Sequence, residues 1–151
     1  MKVSILMVCL GNICRSPLAE GILQSKLSKD LYFVDSAGTS NWHVGKSPDP
    51  RSIAVAREMG VDLTQQRARQ FTQKDFEDFD YIYAMDKANL SDILDMAPNE
   101  EVKAKVNLLL NECHPNMDYE VPDPYYGGNG GFLRVYDMID EACEAIAAKL
   151  K

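Results

Sequence analysis

Val3-Ser4-Ile5-Leu6-Met7-Val8-Cys9-Leu10-Gly11-Asn12-Ile13-Cys14-Arg15-Ser16-Pro17 joins an apolar run to a tight polar loop and a proline. Val3 to Val8 is apolar at almost every position, the pattern of a parallel strand covered on both faces. Gly11 removes a Cβ where the backbone must bend, and Asn12 is among the few residues that tolerate positive φ. Pro17 suits the first turn of a helix, where a missing N–H costs nothing. The segment predicts strand, loop, helix, with the helix running to about Leu27 and presenting Leu18, Ile22, Leu23 and Leu27 on one face.

The rest of the chain continues this alternation, without repeats, low-complexity tracts or a linker. Tyr32 to Val34 reads as a second strand, and Ser40 to Asp49 as a long loop of turn formers. Pro50 starts a helix with Ile53, Ala56 and Met59 inward and Gly60 as its stop. Phe79 to Met85 predicts a third strand, and Leu90 to Ala97 a helix ended by Pro98. Val106 to Leu110 predicts a fourth strand. Phe132, Val135, Ile139, Cys143, Ile146 and Leu150 recur at helical spacing and mark a final helix. Strand–helix alternation implies an α/β fold with a parallel sheet between helices. Ligands of such sheets bind beyond the carboxyl ends of the strands, where Cys9 stands.

The 151 residues are the usual size of one domain, expected here to cover residues 1–151. The composition, 46% hydrophobic and 26% charged, is that of an ordinary globular protein. No apolar run approaches the ~20 residues that span a bilayer. The opening run is too short for a secretory signal and is followed by Cys9-Leu10-Gly11-Asn12 where small residues would mark cleavage, so a cytoplasmic location without membrane attachment is expected. A net charge of −7 argues against a nucleic-acid partner. Local fields can still oppose that charge at a site for an anion. With four cysteines, two histidines and no paired CxxC, neither a disulfide scaffold nor a structural metal site is indicated.

The loop from Cys9 to Arg15 is long enough to wrap one tetrahedral anion. It feeds a helix N-terminus, so backbone N–H groups and the helix dipole converge there. Leu10, Gly11, Asn12, Ile13 and Cys14 would supply that cradle, and the Arg15 guanidinium would grip two phosphoryl oxygens at once. The same positive field favours a thiolate at Cys9 for in-line attack on phosphorus. Ser16 could donate its hydroxyl hydrogen to that sulfur. Attack on a phosphomonoester also needs a proton for the departing oxygen. Asp123, stiffened between Pro122 and Pro124, is the candidate, and its carboxylate could then activate the hydrolytic water. No metal or other cofactor is required.

These residues resemble the low-molecular-weight protein tyrosine phosphatase family. The likeness rests on the C-x5-R-S loop and on Asp123-Pro124-Tyr125-Tyr126-Gly127, with Asp35-Ser36-Ala37-Gly38-Thr39-Ser40 and Phe79-Asp80-Tyr81-Ile82-Tyr83-Ala84-Met85-Asp86 between them. It covers nearly the whole chain. It implies a four-stranded parallel twisted sheet flanked by helices on both faces, with the phosphate-binding loop after the first strand. It further implies Cys9 as nucleophile, Arg15 as phosphate ligand, Ser16 as donor to the leaving thiolate and Asp123 as general acid. Asn12 would be held by side chains including Ser36, with Trp42 and Tyr125 as walls of the cleft. Tyrosine-phosphorylated proteins would be the substrates; apart from the resemblance, an acidic monomer is the default expectation for the oligomeric state. The family's supporting histidine near an Ala-Arg pair is replaced here by Gln66, ahead of Ala68-Arg69.

Other residues keep two readings. Cys14 is either a packing residue at the loop base or a disulfide partner that protects Cys9 from over-oxidation. Trp42 is either a half-buried loop anchor or the cleft wall. Cys143 belongs to the apolar stripe of the last helix, Cys113 to a loop or the core, and His43 and His114 are read as solvated loop histidines. Three rival functions share the loop. An arsenate reductase needs a relay of neighbouring cysteines, yet 62–112 contains none and Cys113 and Cys143 lie thirty positions apart. A phosphoarginine phosphatase of this type tends to carry threonine where Ile13 stands, and an apolar side chain suits an aryl group better. A binding module without turnover would lack Cys9 or Asp123.

Overall fold

The computed structural model describes residues 2–125 and 129–151; Tyr126, in the quoted family motif, lies outside them. Four parallel strands form one sheet in the order β2-β1-β3-β4. They are β1 (Val3–Cys9), β2 (Tyr32–Gly38), β3 (Tyr81–Ala84) and β4 (Val106–Leu108). Helices α1 (Arg15–Lys26), α2 (Pro50–Glu58), α3 (Asp75–Asp78), α4 (Lys87–Met96), α5 (Glu100–Lys103) and α6 (Asn129–Leu150) cover both faces. Among the described residues no helix is long and apolar enough to cross a membrane.

The apolar run of β1 is explained by this layering. Side chains alternate across a strand, so Ile5, Met7 and Cys9 enter the core beneath α1, α2 and α6, while Leu6 and Val8 enter the core beneath α3 and α4. Neither face is wet, so neither tolerates a polar residue at the centre of β1. Ile5, Leu6, Met7 and Val8 are all fully buried. Burial of such side chains contributes roughly 1.5–3 kcal/mol each. The stripe expected on the last helix is also inside, with Phe132, Val135, Ile139, Cys143 and Ile146 buried against α1.

Several boundaries differ from expectation, each for a local reason. α1 starts at Arg15, two residues before Pro17, so Pro17 sits within the first turn, where its N–H would have had no intrahelical partner. β2 continues through Asp35 and Ser36 to Gly38, because seven residues pair with β1 from Val3↔Tyr32 to Cys9↔Gly38. β3 is shorter than Phe79 to Met85, since the Phe79 N–H closes α3 on Asp75. β4 stops at Leu108, and Leu109–Glu112 wind into a 3-10 turn. Met59 is 53% exposed rather than inward; α2 ends just before it, and Gly60 follows at φ +83° as the expected stop.

The register brings the ends of β1 and β2 together at the place where chemistry is expected. Gly38 pairs with Cys9, and a Cβ there would lie 2.7 Å from the Leu10 carbonyl oxygen and 3.1 Å from the Asn12 nitrogen. Only glycine allows the loop after β1 to fold back this closely over β2.

Candidate active site

The loop between β1 and α1 is built from the outside. Carbonyls of Cys9, Leu10 and Ile13 accept N–H bonds from Thr39, Ser40 and Asp49, and the Ser52 hydroxyl donates to the Cys14 carbonyl at 3.4 Å. These oxygens are thereby engaged by the surrounding frame instead of facing the concave side. Asn12 adopts φ +57°, an uncommon conformation for a residue with a side chain. Its amide secures it: Nδ2 donates to Ser16 Oγ at 2.8 Å and to Ser36 Oγ at 2.9 Å, and Oδ1 accepts from the Arg69 N–H at 3.0 Å. The strained residue is thus fixed by partners on α1, β2 and the segment before α3.

That conformation aims the Asn12 N–H at Cys9 Sγ, 3.3 Å away. Ser16 Oγ lies 3.0 Å from the same sulfur. Because Ser16 Oγ already accepts from Asn12, its own hydrogen is available to the sulfur. The Cys9 side chain therefore sits at the end of the central strand among donors suited to a thiolate or an anion.

Arg15 is 3% exposed and held on one side by protein acceptors. Nη1 donates to Asp86 Oδ2 at 2.5 Å and to the Val121 carbonyl at 3.0 Å. Nη2 lies 3.7 Å from Asp123 Oδ2. Burial works against the guanidinium charge, but Cys9, Asp86 and Asp123 outweigh it and push the Arg15 pKa up. Asp86 follows β3 and also caps α4 by accepting from the Asn89 N–H, so one carboxylate positions both a helix and the arginine. The Val121 N–H donates to the Met85 carbonyl, which anchors the segment carrying Asp123 to the same strand end.

The rim is assembled from more distant parts. Asp123 Oδ1 accepts from the Tyr125 N–H at 3.0 Å, closing a turn that tethers its carboxylate. Arg51 bridges this turn to α2: it forks onto Asp49, donates to the Tyr125 carbonyl at 3.1 Å, and covers the rings of Tyr125 and Phe132. Burial opposes the Asp49 charge, but the Arg51 contacts prevail and hold its carboxyl below the usual range. The Asp49 N–H donates to Ile13, so Arg51 joins the rim to the phosphate-loop candidate through one intermediary.

Together these elements enclose a cavity of about 220 Å³. Cys9, Leu10, Gly11, Ile13, Cys14 and Arg15 line its interior, and Trp42, His43, Asp123 and Tyr125 line its mouth. Ser16, Asn12 and Ser36 lie beneath, acting on the cavity through hydrogen bonds. Trp42 is 69% exposed, so it is a wall of the cavity and not a buried anchor. His43 is half-buried against Gly11 and is not the solvated histidine expected from a polar loop. Its Cδ2 would stand 2.9 Å from a Cβ at position 11. Cys14 is buried, and burial first, then the charges of Asp49, Cys9 and Asp123, pushes its thiol up to about 12. It is a protonated thiol at neutral pH.

Gln66 does not take over the histidine's expected support of Asn12. Its Nε2 donates to the Pro17 carbonyl at 3.1 Å, and its buried Oε1 has no hydrogen-bond partner among the described residues. The backbone of Arg69 reaches Asn12 instead. His114 sits in a loop as expected, its side chain 42% exposed, with Nε2 3.1 Å from Glu141 Oε1 and its ring edge-on to Tyr119. Together with Cys113 these two form a group close enough to share an ion, but none of the three lines the cavity. Asp86, His43, Arg51 and Asp49 are the contributors that sequence reasoning missed. The local sign at Asp86, a polar residue after the apolar stretch of β3, marks a helix cap and not a partner of Arg15.

The family model for low molecular weight phosphotyrosine protein phosphatase matches residues 4–151. The low molecular weight phosphotyrosine protein phosphatase of Sus scrofa is 40% identical over 98% of this chain and 96% of its own. A protein tyrosine phosphatase of Entamoeba histolytica, solved with Hepes in its active site, superimposes with TM-score 0.92 at 40% identity, covering 99% of this chain and 97% of its own. Vibrio vulnificus Wzb, solved with benzylphosphonate, gives TM-score 0.88 at 34% identity and covers 99% of both chains.

Proposed function

This chain belongs to the low molecular weight phosphotyrosine protein phosphatase family, and on that premise we propose that it hydrolyses phosphotyrosine in proteins, and small aryl phosphates, through a phosphocysteine intermediate. The cavity that gathers Cys9, Arg15 and Asp123 is the observation that carries this reading. The phosphoryl group enters over Cys9, its oxygens facing the Arg15 fork and the loop N–H groups. The Cys9 thiolate attacks phosphorus opposite the tyrosyl oxygen. As the P–O bond breaks, Asp123 gives its proton to the departing phenolate. Water then attacks the S–P bond, Asp123 takes a proton from it, and inorganic phosphate leaves. Ser16 donates to the sulfur as the thiolate re-forms.

An aryl group suits the remaining surface. Ile13, Trp42 and Tyr125 offer apolar and aromatic faces along the path out of the cavity. Benzylphosphonate, the molecule held by the Vibrio vulnificus relative, carries a phenyl ring one methylene from its phosphonate. We place the activity in a monomer acting on cytoplasmic phosphoproteins, without metal or cofactor.

The test is turnover of p-nitrophenyl phosphate with rapid-quench trapping, followed by a panel of phosphotyrosine, phosphoserine, phosphoarginine and arsenate. The expected result is a phosphoryl adduct on Cys9 and preference for phosphotyrosine. Cys9→Ser should lower turnover by more than about 10⁴-fold. Turnover that survives in Cys9→Ser, or a preference for phosphoarginine or arsenate, would replace this function with a rival.

A further inference from the structure

A buried carboxylate that hydrolysis does not use lies at the far end of the hydrogen-bond chain supporting Cys9. Glu20, on α1, is 8% exposed. Its Oε1 accepts from the Ser36 hydroxyl at 2.6 Å, and its Oε2 accepts from Gln24 Nε2 at 3.1 Å. Gln24 Nε2 also donates to the Val34 carbonyl at 3.0 Å, which fixes the orientation of its amide. Both Glu20 oxygens are therefore acceptors, an arrangement that fits the ionised carboxylate. A proton on Oε2 would confront the Gln24 amide, and one on Oε1 would turn the Ser36 hydrogen away.

That charge sets the Ser36 bond, while the Arg69 N–H on Oδ1 orients the Asn12 amide and leaves both Nδ2 hydrogens to donate. Ser36 turns its hydrogen to Glu20, so Ser36 Oγ presents lone pairs to Asn12 Nδ2. The second hydrogen of Nδ2 goes to Ser16 Oγ, and Ser16 directs its own hydrogen to Cys9 Sγ. The Asn12 amide is the fork of a chain whose hydrogens point outward to an anion at each end. We propose that Glu20 is a positioning residue for the nucleophile, its ionised carboxylate drawing the Ser36 hydrogen to itself so that Ser36 Oγ accepts more strongly from Asn12, whose amide in turn supports Ser16 and Cys9, and making that support pH-dependent. This rests on the proposed function only in taking Cys9 as the reactive sulfur.

The surroundings of Glu20 bring its titration into the working range. Burial is the largest influence and pushes the carboxyl up to about 7, with Asp35 on β2 adding to it. The Ser36 and Gln24 hydrogen bonds and the Arg69 charge pull the other way. Arg69 is itself paired with Asp35 and Asp75, and Gln66 provides no positive charge where the family's histidine would stand. The folded carboxyl holds its proton to higher pH than the unfolded one. Its contribution to stability is thus complete below the ordinary carboxyl range and lost as pH rises through about 7.

The test is the rate of Cys9 alkylation by iodoacetamide, read by mass spectrometry from about pH 5 to about pH 9, in the native protein, Glu20→Gln and Ser36→Ala. The native profile should show a step centred near pH 7 of about fivefold, the size of one charge-directed hydrogen bond. Both variants should lose that step. In Ser36→Ala, Glu20 remains while the link is cut. Thermal midpoints keep the comparison sound: Glu20→Gln should fold, and its midpoint should fall less than the native one as pH rises through about 7. A native profile without the step, or a step retained in either variant, overturns the proposal. Alkylation also separates this from the catalytic reading. If p-nitrophenyl phosphate is not turned over but the step is present and Glu20-dependent, the function fails and the coupling stands.

Discussion

The floor and the rim of the cavity are built on opposite principles. The floor comes from one short stretch, Cys9 to Ser16, and Asn12 and Arg15 there are each 3% exposed. Its polar groups bond to at least three other segments, through Ser36, Arg69 and Asp86. The rim brings together Trp42 from one loop and Asp123 and Tyr125 from another, and Tyr125 is 39% exposed. A buried anion site must be pre-formed, because groups that reorganise as the substrate arrives lose the benefit of low dielectric. The rim is more exposed than the floor, with Trp42 69% exposed as well. Floor variants should therefore lose activity toward every substrate, and rim variants should discriminate among them.

The largest effect that sharpens this contrast is expected at Arg15. Arg15→Lys should reduce kcat for all phosphomonoesters by roughly 10²–10³-fold, since an ammonium cannot reproduce the fork that spans Asp86 and the substrate. Steady-state kinetics on good and poor leaving groups checks this. Near-normal kcat with either would remove Arg15 from the floor.

Asp123→Ala should come next and be selective. Aryl phosphates with poor leaving groups should slow by about 10²-fold or more, while activated ones slow far less. Equal slowing across a leaving-group series would exclude Asp123 as the proton donor and make the rim behave like the floor.

Arg51→Ala should give the smallest loss, about tenfold in kcat/KM for a phosphotyrosine peptide. It removes the fork to Asp49 and the bond to Tyr125 without touching the floor. Inorganic phosphate should inhibit the variant and the native protein to the same degree. Weakened phosphate inhibition would show that the rim tether reaches the floor after all.

How much of this was readable in the chain depends on how far apart the contributing residues are. The apolar run of β1 and the stripe Phe132, Val135, Ile139, Cys143 and Ile146 announce buried elements by periodicity, and both are buried. The loop residues were legible because a strand, a bend and a helix start are contiguous. Asp123 was legible from its flanking prolines, and the resemblance extended the site to Ser36, Trp42 and Tyr125. Asp86 and His43 were not legible as contributors. Nothing local distinguishes an aspartate that caps α4 from one that also anchors Arg15, or a loop histidine in water from one packed on Gly11. Gln66 shows the same limit from the other side: its identity was plain, but its turn toward Pro17 was not.

By itself the sequence determined the strand-loop-helix frame and the chemical types at its end, because periodicity, glycine, asparagine and proline act on the backbone within a few residues. Only the tertiary structure decided which carboxylate holds Arg15, which hydroxyl orients Asn12 and that Glu20 stands behind both serines. Those contacts join residues up to 71 positions apart and depend on the parallel register that aligns Cys9 with Gly38, with β3 on the other side of β1. Hydrogen bonds form or fail within a few tenths of an ångström, and that precision comes from packing across the sheet, which no local pattern encodes.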